Sequence, residues 1–148
     1  MTTNKFEFDK VVARFKFKKR DLPTLIANDS RNFFLQGFKK QGWDDGVVKA
    51  WKERKDSNST KPILVKTGKL RRAVSNSIRL ANWDIVKLAI GSEVPYAAVH
   101  NEGFKGKIQG VNSMRKMNMP QRKFMGKSKT LTDKTKKRIS DEMKKIFK

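Results

Sequence analysis

The chain has no cysteine, a single histidine, a single tyrosine, four prolines and only 14 acidic residues among 148. Absence of cysteine excludes a disulfide scaffold, a thiolate nucleophile and cysteine-ligated zinc. One histidine, His100, excludes a multi-histidine metal site, and no cofactor is expected. No apolar run approaches the ~20 residues that span a bilayer, so no membrane partner is expected. The opening MTTNKFEFDK lacks the uninterrupted apolar stretch of a signal peptide, which points to cytosolic synthesis. What the chain does have is 36 Lys and Arg, giving a formal charge of +22, with 10 Phe and 3 Trp inside a 36% hydrophobic composition. That suits one domain, 1–148, with a modest core and a strong need for a negative partner.

The positive charge is uneven. Residues 21–60 are near balance, with seven basic and six acidic side chains. Residues 105–148 hold fifteen against three, a surplus of +12. Single lysines on a solvated helix face need no explanation, but a basic final third suggests one positive surface facing something negative.

Residues 5–18 alternate. Val11, Ala13, Phe15 and Phe17 share one parity and Val12, Arg14, Lys16 and Lys18 the other, which predicts a strand-like N-terminal arm over 1–20, with a bulge near Asp9-Lys10 to bring Phe6 and Phe8 into phase. Asp21 before Pro23 reads as a helix N-cap. The stripe Leu22, Leu25, Ile26, Phe33, Phe34, Phe38 predicts a helix over 22–38, ended by Gly42 after Lys39 and Lys40. Trp43 and Trp51 flank room for one helical turn, and 53–61 reads as a loop. The run Pro62–Lys66 fits a strand or an extended core-crossing segment, and 70–80 fits helix and strand periods alike. A hairpin of 76–82 with 84–91 turns at Asn82-Trp83. A short helix over 94–101 follows, then a long basic loop from 103 to 118 without period, within a basic segment 105–130. Thr130-x-x-Asp133 resembles a capping box, and Leu131, Thr135, Ile139, Met143 and Phe147 predict a C-terminal helix within 131–148. The fold class is α+β: a small antiparallel sheet on a long N-terminal helix and a C-terminal helix, with residues 21–104 as the core.

Candidate chemistry is sparse. His100, beside Asn101 and Glu102, is the one side chain with a near-neutral reference pKa, but no nucleophile or oxyanion motif accompanies it. A hydrogen-bonded structural histidine is the better reading, and no enzymatic activity is expected. Asp44-Asp45 before Gly46 reads as a turn and N-cap rather than a cation site, which needs about six oxygens. Gly103–Lys107 lacks the spacing of a phosphate loop. Trp43, Trp51 and Trp83 sit among apolar neighbours, so they read as core rather than as base-stacking platforms. Met114, Met117, Met119 and Met125 lie among Arg115, Lys116, Arg122, Lys123 and Lys127, an adaptable surface with cations for phosphate or carboxylate contacts.

Several segments form an ordered set. Phe38, Gly42-Trp43 and Trp51 are followed by Ile63-Leu64 leading into Thr67-Gly68-Lys69-Leu70, then by Ile90-Gly91-Ser92 and Tyr96-Ala97-Ala98-Val99-His100-Asn101-Glu102-Gly103, then by Met119-Pro120-Gln121-Arg122-Lys123-Phe124-Met125-Gly126. This order resembles the phage virion morphogenesis family, the Mu-type tail completion proteins, over roughly residues 33–147. The N-terminal arm and the 105–118 segment depart from that pattern. The resemblance implies a small α+β structural protein of the head–tail neck: a homo-oligomeric ring, hexameric or dodecameric, that joins tail to portal around the DNA channel in the virion after synthesis in the host cytoplasm. Its implied partners are portal or connector proteins, tail terminator or tail tube proteins, and channel DNA backbone. Six copies would carry about +130, which opposes ring closure unless DNA or an acidic ring offsets it.

With that expectation, Phe15, Phe17, Tyr96, His100, Asn101, Arg122 and Phe124 are candidate subunit or partner contacts. Tyr96 and His100 are four apart and share a helix face. Arg122 suits a bidentate carboxylate contact across a subunit boundary, and Phe124 suits a core anchor. Lys105, Lys107, Arg115, Lys116, Lys127, Lys129, Lys136 and Lys137 are candidates to face DNA or an acidic partner. A competing reading is a basic accessory protein that binds nucleic acid non-specifically, with steeply salt-dependent affinity.

Overall fold

A computed structural model describes residues 7–55, 60–110 and 113–147. The elements are helix α1 (Phe8–Lys40), strands β1 (Gly42–Asp44) and β2 (Val48–Ala50), helix α2 (Lys69–Ser75), strands β3 (Ile78–Ala81) and β4 (Val86–Leu88), helix α3 (Ala97–Glu102), strands β5 (Phe104–Gln109) and β6 (Met114–Met119), and helix α4 (Lys129–Lys144). The chain is α+β as expected. Among the described residues the strands form three separate antiparallel hairpins rather than one sheet.

The core grows from the second half of α1. Phe33, Phe34 and Phe38 are buried with Trp43 of β1, Trp51, Leu70 and Val74 of α2, Val94, Ala97 of α3 and Phe124. The aromatic rings meet in several geometries: Phe34 stacks on Trp43 at 6.2 Å, while Phe38 meets Trp51 edge-on at 5.5 Å and Phe124 at 5.8 Å. Trp51 Nε1 donates to the Lys123 carbonyl at 2.7 Å, so its polar end is satisfied within the core. Trp83 departs from the expectation: it is 45% exposed at the β3–β4 turn.

The predicted N-terminal strand is a helix. Residues 8–20 form the front of α1, while Phe6 lies outside the described residues. Alternating Phe and Lys marks a strand only where a sheet face must be buried, and here Phe8, Phe15 and Phe17 are all exposed. The helical path instead sets Arg14 and Lys18 on one face, four residues apart. That face meets the end of α4: Arg14 Nη1 donates to the Ile146 carbonyl at 3.4 Å and Lys18 Nζ to Glu142 Oε2 at 2.5 Å. Asp21 is therefore mid-helix rather than a cap, accepting from Arg20 Nε at 2.9 Å. Pro23 sits inside the same helix, which leaves the Lys19 carbonyl without its usual amide donor.

Helix α1 ends one residue earlier than Gly42 would have ended it. Gln41 takes the left-handed conformation at φ 53°. Its side chain fixes it there: Oε1 accepts from Ile63 N at 2.5 Å and Nε2 donates to the Phe38 carbonyl at 2.6 Å. The segment between Trp43 and Trp51 is a hairpin, not a helical turn. A side chain at Gly42 would meet the Lys49 carbonyl at 2.6 Å, so only glycine allows β1 to approach β2 this closely.

Residues 62–66 form a turn, with Val65 N donating to the Pro62 carbonyl at 3.2 Å and Leu64 at φ 61°. The ambiguous 70–80 stretch contains both readings in succession, α2 then β3. The β3–β4 hairpin turns as predicted: Asn82 Oδ1 accepts from Asp84 N at 3.1 Å and Ile85 N at 2.8 Å. The predicted short helix near 94–101 is α3. The predicted loop 103–118 is instead the β5–β6 hairpin.

Ser128, not Thr130, caps α4, accepting from Leu131 N at 3.2 Å. Thr130 faces the β1–β2 turn, donating to Asp44 Oδ1 at 2.6 Å, while Asp45 Oδ1 accepts from Lys129 N at 2.6 Å. The two aspartates are thus the turn and helix cap the sequence suggested, but for a helix 84 residues away. In the α4 stripe Leu131 packs on the core, while Ile139 and Phe147 are exposed and Ile146 takes the buried place.

Candidate assembly surface

The β5–β6 hairpin carries four basic residues, Lys105, Lys107, Arg115 and Lys116, and no acidic one. Its register pairs Lys105 with Asn118, Lys107 with Lys116 and Gln109 with Met114 on one face. Phe104, Ile108, Met117 and Met119 share the other face with Gly106 and Arg115. The ribbon is therefore amphipathic. Lys107 and Lys116 are directly opposed, and like charges opposite each other destabilise a hairpin unless an anion lies between them. Glycine and lysine weaken the local strand signal of this hairpin. The alternation of Phe104, Gly106, Ile108 against Lys105, Lys107 was the usable cue.

The other cationic candidates lie on separate elements. Lys129, Lys136 and Lys137 are exposed on α4, and Lys127 is exposed just before it. Arg115 sits on the apolar side of the ribbon, away from Lys105, Lys107 and Lys116. Phe15 and Phe17 project from the front of α1. Phe15 meets Trp83 edge-on at 6.1 Å, and Arg20 lies 4.8 Å over the Phe17 ring.

Tyr96, His100, Asn101, Arg122 and Phe124 form a single node behind the ribbon. Tyr96 and His100 rings meet edge-on at 5.8 Å, as their spacing predicted. The His100 carbonyl accepts from Arg122 N at 2.8 Å. Asn101 Oδ1 accepts from both Phe124 N at 2.9 Å and Met125 N at 3.0 Å, which pins the 120–126 segment to α3. Phe124 is buried in the core, the anchoring role expected of it. Arg122 departs from its expectation. It is 6% exposed and uses its guanidinium internally, with Nε on the Lys52 carbonyl at 2.8 Å and Nη2 on the Glu53 carbonyl at 3.0 Å. It clamps the chain after Trp51, and among the described residues no carboxylate is its partner.

Electrostatics in the node follow from burial. Desolvation holds His100 below its usual pKa, with the Arg122 charge acting in the same direction, so the neutral imidazole is favoured. Burial also lowers Arg122, helped by Arg54. Gly68, at φ 71°, supplies the left-handed turn that opens α2 beside this node. Among the described residues no group of three or more His, Cys, Asp or Glu side chains converges as a metal site. No helix of the described residues is long and apolar enough to cross a membrane.

The family model described as the phage virion morphogenesis family matches residues 8–148. The chain belongs to that family. No curated protein and no solved structure matches it significantly. For this family member the match begins at the first residue of α1, so the helical extension that the sequence pattern set apart as an arm lies within the matched region. The β5–β6 ribbon lies within it as well. A phage structural, virion-associated role follows for the chain.

Proposed function

We propose that this protein is a tail completion protein of the phage neck, whose copies close a ring joining the tail to the portal-side connector around the DNA channel. The observation that carries this reading is the family match combined with the β5–β6 ribbon, where Lys105, Lys107 and Lys116 share one exposed face. A chain of +22 gains little by crowding copies of itself into a ring unless that face meets a polyanion. Channel DNA or an acidic connector ring supplies one. The opposite ribbon face, with Ile108 exposed, offers apolar area to a neighbouring subunit. His100 is assigned a structural role, since its carbonyl and ring hold the 120–126 segment and Tyr96 in place.

The test is electron cryo-microscopy of particles carrying the native chain and a variant with Lys105, Lys107 and Lys116 all changed to Gln. The native chain is expected as a ring between portal and tail, with the ribbon at the channel or against an acidic neighbour. The variant is expected to yield heads without tails or without retained DNA. Absence of the native chain from the particle, with tight salt-dependent DNA binding by the free subunit, would instead favour a nucleic-acid accessory protein.

A further inference from the structure

A cavity of about 370 Å³ opens beside the node, between α2, α3 and the 61–69 turn. Its walls carry Arg54, Lys66, Lys69 and Arg122, together with His100 and Tyr96. Among the described residues no carboxylate lines it. Ile63, Leu64 and Leu70 make the remaining wall apolar.

Three features mark this cavity as built rather than incidental. First, Arg122 is a nearly buried guanidinium whose partners among the described residues are uncharged: the carbonyls of Lys52 and Glu53 and the Met119 sulfur at 3.8 Å. Buried charges are ordinarily paired, because removing them from water costs far more than neutral acceptors return. Second, His100 Nδ1 is buried without a hydrogen-bond partner, which leaves a polar atom in the same wall unsatisfied. Third, Leu64, in the same wall, holds a positive φ of 61°, a left-handed conformation that its Cβ disfavours. Strain of this kind gathers where backbone is shaped around a ligand.

We propose that this cavity binds an acidic segment of a partner protein, a carboxylate side chain entering among Arg54, Lys66, Lys69 and Arg122 with an adjacent apolar side chain against Leu64 and Leu70. Its volume suits one or two side chains. A nucleic-acid backbone is a poorer fit: the cavity is too small for a run of phosphates, and Ile63, Leu64 and Leu70 make part of its wall apolar. The carboxylate supplies the counter-charge that Arg122 lacks among the described residues. A second copy of this chain is a weak donor, having only 14 acidic residues against 36 basic ones. The proposal rests on the cavity alone and not on the neck assignment. It is tested on the isolated subunit, so its failure and the failure of the ring reading are separate results.

The chain has one histidine and one tyrosine, and both line the cavity, so their proton resonances report on it without assignment ambiguity. The probe is an end-capped four-residue peptide alternating glutamate and leucine, titrated at physiological ionic strength, with the glutamine counterpart as control. Saturable shifts of the His100 and Tyr96 ring signals are expected with the acidic peptide, at least tenfold weaker binding with the glutamine peptide, and a tenfold loss on changing both Lys66 and Lys69 to Ala. Lys136→Ala with Lys137→Ala should leave the affinity unchanged. Equal binding of the glutamine peptide, unaltered affinity in the Lys66/Lys69 variant, or stronger shifts from a DNA duplex than from the peptide would each overturn the proposal.

Discussion

Helix α1 is one helix in two environments. Its second half, from Leu22 to Lys40, contributes Leu22, Ala27, Phe33, Phe34 and Phe38 to the buried interior. Its first half, residues 8–20, buries no residue at all. The two halves have similar numbers of aromatic rings, yet Phe38 is 4% exposed and Phe17 54%. The difference shows that tertiary burial, rather than intrinsic propensity, secures the second half. The first half persists through helix continuity and a few polar ties to α4.

The sharpest way to break that comparison is to truncate one ring in each half. Phe38→Ala removes contacts to Trp51 and Phe124 and leaves a cavity, an expected loss of about 3–5 kcal/mol in urea denaturation. Phe17→Ala should stay within about 0.5 kcal/mol, as exposed substitutions do. Equal losses would mean that the front of α1 is packed in solution against something, a neighbouring copy above all.

A smaller effect isolates the polar tie. Glu142 of α4 is 3% exposed and accepts from Lys18 at 2.5 Å and Lys145 at 2.6 Å. Those two ammonium groups hold its carboxyl down to about 2, from an ordinary value of 4.5. Because the folded value is the lower one, the stabilisation is complete above pH about 4.5 and is lost as pH falls towards 2. Glu142→Gln should remove that part of the acid sensitivity, read by thermal melts across this range, and cost about 1.5–3 kcal/mol at neutral pH. The Asp29–Arg138 pair, at 2.7 Å and 3.1 Å, joins the same two helices but is well exposed and should matter less.

The smallest effect concerns propensity alone. Ala13→Gly in the exposed half should cost about 0.5–1 kcal/mol, appearing as faster hydrogen exchange over residues 8–20 with little change in the global melt. An unchanged exchange profile would place the stability of the front half in tertiary contacts instead.

The same contrast explains what the sequence made legible. The helix over 22–38, the β3–β4 hairpin, α3 and the C-terminal helix could be read because burial imposes a period on them or a turn residue such as Asn82 marks them. Residues 8–18 misled because an exposed helix is free to alternate Phe with Lys, having no face to protect. The β5–β6 ribbon was hidden by its lysines and glycines. At the node, the four-residue spacing of Tyr96 and His100 was readable. The burial of Arg122 was not, because nothing local announces that the carbonyls of Lys52 and Glu53, 70 and 69 residues away, will receive its guanidinium.

The acceptor that Asp45 adds beside the Ser128 cap of α4 bears on the order of folding. The hairpins β3–β4 and β5–β6 close over short spans and form on the scale of microseconds. The Asp45–Lys129 bond spans 84 residues, so its loop-closure entropy must be met before it contributes anything. Ser128 caps α4 locally, whereas the acceptor Asp45 reaches Lys129 N only after the β1–β2 turn is in place, and a chain lacking that turn would carry the start of α4 undocked.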